Sequence, residues 1–101
     1  MLTTITSRKG EVPEALRERA LSVMERLGRL AKRPTSSMVT FATEHQRVTA
    51  EIILKPSRGE PVVAKADAPD HRTALDRAAA KARRQLDKAV PSRRRVAAGR
   101  R

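Results

Sequence analysis

The sequence predicts an α+β fold in which four strands and two helices follow the order β-α-β-β-β-α, with both helices packed on one face of the sheet. Apolar residues recur every three or four positions in two segments, near residues 11–33 and 70–90, as in amphipathic helices. Elsewhere they alternate every second position, as in strands with one face towards a core. A chain of 101 residues is long enough for one domain with one modest core.

The first strand and the first helix are predicted from residue type and from breakers. Thr and Ile over residues 2–8 favour an extended chain. A helix follows, because Pro13 is tolerated in a first turn and Glu14 suits the positive end of the helix dipole. Pro34 disfavours helical backbone in the residue before it, so this helix is expected to end near Arg33. Its apolar stripe consists of Leu16, Ala20, Val23, Leu27 and Leu30.

Three further strands and the second helix complete the predicted domain. The strands are residues 37–43, 48–55 and 62–68, with connections at 44–46 and 56–60. Pro61 lacks an N–H group, so the last strand begins there or lies at an edge. Asp70 is a suitable N-cap for the second helix, which ends at Val90 and Pro91. Its buried stripe is predicted to be Leu75, Ala78, Ala79, Ala82 and Leu86. Residues 1–90 form the domain, and residues 91–101 are predicted to be a flexible basic tail.

Charge is distributed unevenly along the chain. Residues 1–34 carry eight Lys and Arg against four Asp and Glu, residues 35–69 carry four of each, and residues 70–101 carry eleven against three. The net charge of +12 therefore lies at the two ends and not in the middle. This distribution is typical of a protein with a face for a polyanion.

Helical geometry places the cations on defined sectors. At 100° per residue, the second helix carries a ridge about 60° wide opposite its apolar stripe. The ridge consists of Arg77, Lys81, Arg84 and Lys88. A comparable sector of the first helix holds Arg19, Arg26, Arg29 and Arg33. Two basic sectors on one side of a neutral sheet repel each other unless a polyanion binds there. The alternative is a solvated surface with salt bridges.

Folded RNA is the polyanion that the composition favours. Phe41 is the one aromatic residue, and its strand position predicts a core side chain and not an exposed platform for unpaired bases. The remaining possibility is that Arg and Lys recognise the phosphates and the helical shape of folded RNA. A membrane surface is disfavoured, because both apolar stripes are needed for the core.

No catalytic constellation is present in the sequence. Cysteine is absent, and His45 and His71 each have one acidic neighbour without a second metal-ligand pair or a nucleophile. Four scattered glycines do not make a nucleotide fingerprint. We therefore predict a protein that is not an enzyme, with no cofactor, no metal and no small-molecule substrate.

Several short motifs occur in an order that resembles a known family. They are Ile5-Thr6-Ser7-Arg8, Val12 with Ala15-Leu16-Arg17-Glu18, Glu44-His45 with Ala50-Glu51, and Asp70 with Ala74-Leu75-Asp76, Lys81, Arg84-Gln85-Leu86 and Lys88. Over about residues 1–90 the chain is similar to the ribosome hibernation promoting factors and ribosome-associated inhibitors, also called sigma-54 modulation proteins. The fold of that family agrees with the one predicted above.

The N-terminal residues do not resemble a secretory signal and no apolar run is long enough to span a membrane, so a cytoplasmic protein is expected. The resemblance implies a protein that binds the small ribosomal subunit, within the intact ribosome, in the channel for messenger and transfer RNA near the decoding centre. Such proteins silence ribosomes under stress or in stationary phase, through basic helices that contact ribosomal RNA. Matching positions give Lys81, Arg84 and Lys88 as contacts. The further candidates Arg26, Arg29, Arg33 and Arg77 follow from their helix facing.

The sequence departs from the family pattern at Ser7, where Gly is usual, and at His71-Arg72, where Met-Tyr is common. It also lacks the second domain of long members, so a short form is expected, and whether bound ribosomes stay single or pair is left open. The alternatives from charge alone are a general double-stranded RNA- or DNA-binding protein and a structural ribosomal protein. A transcription regulator is suggested only by the older family name.

Overall fold

A computed structural model describes residues 2–8, 11–31, 34–57 and 59–89. Its elements are β1 (Leu2–Ser7), α1 (Glu14–Leu30), β2 (Pro34–Glu44), β3 (Arg47–Pro56), β4 (Val62–Ala68) and α2 (His71–Ala89). The predicted α+β fold and its element order are confirmed. The predicted tail at 91–101 and the candidate Arg33 lie outside the described residues.

The sheet is mixed, with its strands in the spatial order β1-β2-β3-β4. β1 pairs with β2 in parallel, and the pairs β2–β3 and β3–β4 are antiparallel. A parallel pair needs a crossover connection, and α1 supplies it between β1 and β2. β4 is an edge strand beginning directly after Pro61, as the missing N–H group of that residue predicted.

The β2–β3 hairpin is longer than predicted. Its ladder continues to the pair Glu44 and Arg47, so the turn contains only His45 and Gln46. Both turn residues have positive φ, 53° and 65°. These values belong to a type I′ turn, the two-residue turn whose twist matches that of a hairpin. The sequence predicted a hairpin connection at 44–46 but not its turn type, because the segment contains neither Asn nor Gly.

The core lies between the sheet and the two helices. Its largest fully buried side chains are Phe41, Met24, Ile52, Leu54, Leu75 and Val39. The predicted stripe of α2 is buried at Leu75, Ala78, Ala82 and Leu86, whereas Ala79 is half-buried. On α1 the fully buried Met24 was missed by the predicted stripe, and Leu30 at the end of that stripe is 39% exposed. The apolar face of α1 is therefore turned towards Met24.

The start of α2 was predicted correctly from the sequence, whereas the end of α1 was not. At the start of α2, the Thr73 N–H donates to Asp70 Oδ2 over 2.9 Å and the Thr73 hydroxyl donates to Asp70 Oδ1 over 2.8 Å, which confirms Asp70 as the N-cap. At the end of α1, the helix stops at Leu30, and Ala31 is already extended with ψ of 149°. Because β2 begins at Pro34, the chain must leave the helix early to reach the sheet, and the predicted end near Arg33 is wrong.

Candidate nucleic-acid interface

The net charge of the described elements lies on the helices. α2 contains six Lys and Arg against two Asp, and α1 contains four Arg against three Glu. The four strands together contain three cations and three anions. The helices cover one face of the sheet, so the molecule has a basic helical side and a sheet with no net charge.

An ion pair joins the two helices. Arg19 Nε donates to Asp76 Oδ1 over 3.1 Å, and Arg19 Nη2 donates to Asp76 Oδ2 over 2.9 Å. Both side chains are partly buried, with exposures of 35% and 43%. This two-pronged geometry is the strong form of an arginine–carboxylate pair and fixes the orientation of α1 against α2. Arg19, assigned from sequence to the basic sector of α1, therefore has its charge compensated within the fold.

A second set of contacts joins α2 to the edge strand β4. Three side chains of α2, spaced four residues apart, donate hydrogen bonds to the carbonyls of alternate β4 residues. The pairs are Arg77 Nη1 to Asp67 O at 3.0 Å, Lys81 Nζ to Lys65 O at 2.8 Å, and Gln85 Nε2 to Val63 O at 2.7 Å. We call these three contacts the edge ladder.

The edge ladder follows from the dimensions of helices and strands. Four residues of an α-helix rise about 6.0 Å, and two residues of a strand advance about 6.6–6.8 Å. A helix that runs antiparallel to a strand can therefore match every fourth side chain to every second residue of the strand for two or three contacts. Alternate carbonyls of an edge strand point away from the sheet, and these are the groups that α2 reaches.

The four predicted cations of α2 are all exposed, but they differ in their surroundings. Arg77, Lys81 and Arg84 line one shallow cleft along β4. Lys88 is exposed in the last turn of the helix. Arg77 and Lys81 also belong to the edge ladder. The sequence predicted a ridge opposite the buried stripe, and the structure adds that these two side chains contact β4 as well as solvent. Each uses one donor there and keeps others for a ligand, because a guanidinium has five donors and an ammonium has three.

The predicted cations of α1 are separated from one another. Arg26 lines a groove between α1 and α2, opposite Arg83 of α2. Arg29 lies on the other flank of α1, where it meets Glu25 at 3.4 Å and both side chains are about 70% exposed. An exposed pair of this kind contributes little to stability. Sequence reasoning did not select Arg83, because its helical angle placed it on the flank with Asp76; only the packing of α1 shows that this flank is an interhelical groove.

The uncovered face of the sheet carries a different type of pair. Arg47 Nε donates to Asp67 Oδ2 over 2.7 Å across β3 and β4. This hydrogen bond and the charge of Arg47 hold the pKa of Asp67 below its usual value. At the start of α2, the Thr73 N–H and hydroxyl lower the pKa of Asp70 in the same direction. Both carboxylates are ionised at neutral pH and reduce the positive charge near β4.

The histidines have different surroundings. The His71 ring lies 5.6 Å from the ring of the buried Phe41, tilted by 58°, whereas His45 is exposed in the hairpin turn. In the part of the chain that the structure describes, no group of three or more His, Cys, Asp or Glu is placed to hold a metal ion. Neither α1 nor α2 has the length and apolarity needed to cross a membrane.

Comparison with known protein families identifies the family of this chain. Residues 3–94 match the family described as "Sigma 54 modulation protein / S30EA ribosomal protein". The chain belongs to this family. The resemblance drawn from the short motifs is thereby confirmed, and the S30EA family to which the chain belongs is one of ribosome-associated, non-enzymatic factors.

Two solved structures share the S30EA fold described above. A ribosomal subunit interface protein from Coxiella burnetii superposes with a TM-score of 0.77 at 19% identity, over 88% of this chain and 97% of that one. The Thermus thermophilus Protein Y N-terminal domain superposes with a TM-score of 0.76 at 22% identity, over 87% of this chain and 98% of that one. The comparison with curated proteins gave no match. At these identities the two structures support the fold of this S30EA member and not its individual contacts.

Proposed function

We propose that this protein is a ribosome hibernation factor that acts in the cytoplasm. In this proposal it binds the small ribosomal subunit in the channel for messenger and transfer RNA, near the decoding centre, and inhibits translation under stress or in stationary phase. The observation that carries the proposal is the segregation of charge, with four net positive charges on α2 and none on the four-stranded sheet. Membership of the S30EA family supports a ribosomal partner.

The cations of α2 suit a ligand with closely spaced phosphates. Arg84 and Lys88 are exposed, and neither has an ion-pair partner among the described residues. Arg77 and Lys81 lie beside Arg84 on the cleft along β4. Arg recognises phosphate with a planar fork of donors and Lys acts as a compact charge, so the surface can contact two RNA strands without reading bases.

The scaffold holds these cations in fixed positions. The ion pair between Arg19 and Asp76 fixes α2 against α1, and the edge ladder fixes it against β4. A binding surface held in this way loses less side-chain and backbone freedom when it binds. This rigidity supports recognition of one RNA shape over general coating of polyanions.

Charge reversal at Arg84 and Lys88 tests the proposal. The variant Arg84→Glu/Lys88→Glu leaves the edge ladder intact, so the fold is expected to persist. We expect binding to small subunits to weaken at least tenfold, and the slope of log affinity against log salt to fall by about 2. Co-sedimentation with purified small subunits over a range of salt concentrations measures both quantities.

The matched control reverses two cations on the uncovered face of the sheet. Lys55→Glu/Lys65→Glu changes the net charge by the same amount, and both side chains are exposed. It should bind subunits with nearly unchanged affinity, and thermal unfolding of each variant checks that the fold is retained. Equal losses for the two variants would show that total charge, and not the surface of α2, determines binding.

A further comparison separates the proposal from general duplex binding and from a constitutive ribosomal role. At physiological salt, a hibernation factor should prefer small subunits over free duplex RNA and should be found on idle ribosomes. Similar affinity for any duplex, or equal abundance on translating polysomes, would contradict the proposal.

A further inference from the structure

A groove runs between the two helices on the basic side of the molecule. Its volume is about 290 Å³, just below the range of about 300–1,000 Å³ for small-ligand sites. Apolar side chains form its floor: Val23, Leu27, Leu30, Ala79 and Ala80. Arg26 of α1 and Arg83 of α2 line its two sides. We call this feature the helix groove.

The helix groove exists because α2 presents alanines where larger side chains would close the seam. Ala79 is half-buried and Ala80 is exposed, so neither methyl group fills the space opposite α1. Leu30 of α1 is 39% exposed at the same place, although it continues the apolar stripe of the helix. An apolar surface thus remains open to solvent between two charged rims.

Three charged side chains line the helix groove, namely Arg26, Asp76 and Arg83. Both carboxylate oxygens of Asp76 are bound by Arg19. Among the described residues, Arg26 and Arg83 have no ion-pair partner and are both exposed. A ligand for this site therefore combines negative charge with a flat apolar part.

We propose that the helix groove binds one unstacked nucleotide of RNA. The base lies against Leu30, Ala79 and Ala80, the guanidinium planes of Arg26 and Arg83 contact it from the sides, and the flanking phosphates approach the same guanidinium groups. Arginine planes stack on unpaired bases in proteins that bind single-stranded RNA, so an aromatic residue is not required. Phe41 is fully buried and is not available for this role.

This inference rests on the proposed function, because the RNA is supplied by the same ribosomal partner, and it adds a base contact to a surface otherwise built for phosphates. An acidic protein segment is the other ligand class with charge and apolar surface, but the rims of the helix groove lie close to the phosphate-binding candidates of α2. One continuous RNA ligand can satisfy both sites.

Filling the helix groove tests the inference. Ala79 lines the helix groove and not the cleft along β4, which Ala80 borders as well. Ala79→Leu adds an apolar side chain to the groove and removes no charge, and thermal unfolding checks that the fold is retained. Ala15→Leu adds the same side chain to an exposed position near the start of α1 as a control. We expect Ala79→Leu to weaken binding to small subunits about tenfold with an unchanged salt slope, since loss of one stacked base has an effect of about that size. Ala15→Leu should bind as the unaltered protein does.

A second measurement uses a short single-stranded RNA and the same RNA with one abasic nucleotide. The base-containing RNA should shift the methyl NMR signals of Leu30, Ala79 and Ala80 and bind several-fold more tightly than the abasic one. If small subunits bind the unaltered protein and Ala79→Leu equally well, the base contact in the helix groove is overturned while the proposed function stands.

If small subunits do not bind the unaltered protein, the proposed function fails. The measurement with short RNA is then the remaining test of nucleotide binding in the helix groove. Equal affinity for the two RNAs then overturns it. Methyl shifts produced by an acidic peptide but not by the RNA would overturn it in favour of a protein-docking site.

Discussion

His45 and Gln46 adopt a backbone conformation that their side chains disfavour. Both have positive φ in the two-residue turn between β2 and β3. The left-handed region costs an ordinary L-residue roughly 1–2 kcal/mol, whereas Gly adopts it freely and Asn tolerates it. The turn is nevertheless imposed, because the long ladder from Pro34 to Glu44 and from Arg47 to Pro56 fixes the register on both sides.

Replacing the turn by the residues that a type I′ turn prefers should stabilise the protein. We expect His45→Asn/Gln46→Gly to raise the free energy of unfolding by about 1 kcal/mol, after allowing for the greater freedom of Gly in the unfolded chain. Urea-induced unfolding measures the change. Glu60→Gly serves as a control, because Glu60 itself does not have a positive φ, although its neighbour Gly59 does, and so gains nothing from Gly. A loss of stability in the turn variant would contradict the left-handed conformation.

At the residue scale, the sequence predicted those features that depend on a single side chain and its neighbours. Asp70 as an N-cap and Phe41 as a core residue are of this kind. Left-handed His45 and Gln46 were missed, because a tertiary register and not a local preference determines them. Arg83 was missed for a similar reason, since its environment depends on a helix more than fifty residues away in sequence.

At the level of elements, α2 makes a different set of contacts on each of three sides. One side is buried through Leu75, Ala78, Ala82 and Leu86. A second side carries the edge ladder to β4, and a third faces α1 across the helix groove. Periodicity predicted the buried side, because burial repeats every three or four residues. It did not predict the edge ladder, because helix spacing must be compared with a strand whose position is known only in the folded molecule.

The contribution of the edge ladder can be measured with two matched pairs of substitutions in α2. Arg77→Met/Lys81→Met removes two ladder donors, and Arg84→Met/Lys88→Met removes one Arg and one Lys without a strand partner. We expect the first variant to be less stable than the second by about 1–2 kcal/mol, since each hydrogen bond contributes about 0.5–1.5 kcal/mol. Unfolding in urea measures the difference. Equal stability of the two variants would show that the ladder contributes nothing in solution.

For the whole molecule, excess positive charge makes stability sensitive to acid. Asp67 and Asp70 have pKa values below their usual range in the folded state. A carboxyl group with a lowered folded pKa stabilises the fold above the unfolded pKa, and this contribution is lost as the pH falls through the folded pKa. Protonation also adds positive charge to a chain whose formal net charge is already +12.

We therefore expect the melting temperature to be level above about pH 5, a unit above the ordinary Asp pKa of about 3.9, and to fall at lower pH. Asp67→Asn/Asp70→Asn should be less stable than the unaltered protein at neutral pH and should lose less on acidification. Thermal unfolding at a series of pH values measures both curves. Curves that stay parallel down to the acid limit would contradict a role for these two carboxylates.

Sequence periodicity, breakers and charge together predicted the architecture and the basic side of the molecule. They did not predict how the cations are divided among the cleft along β4, the helix groove and the flank of α1. Arg26 and Arg29 were assigned to one sector, yet they line different surface features. Helical angle orders residues around one axis, whereas the distribution of the cations depends on where two helices and a strand meet.

The edge ladder has a consequence for the protein when no RNA is bound. An exposed strand edge is a template on which other chains can add strands and grow fibres. Arg77, Lys81 and Gln85 occupy the outward carbonyls of β4, and the charges of Arg77 and Lys81 repel another copy of the same chain. Arg77 and Lys81, which are proposed to contact RNA, thus also oppose self-association. A bound RNA that draws them away from β4 would itself shield the exposed edge of that strand.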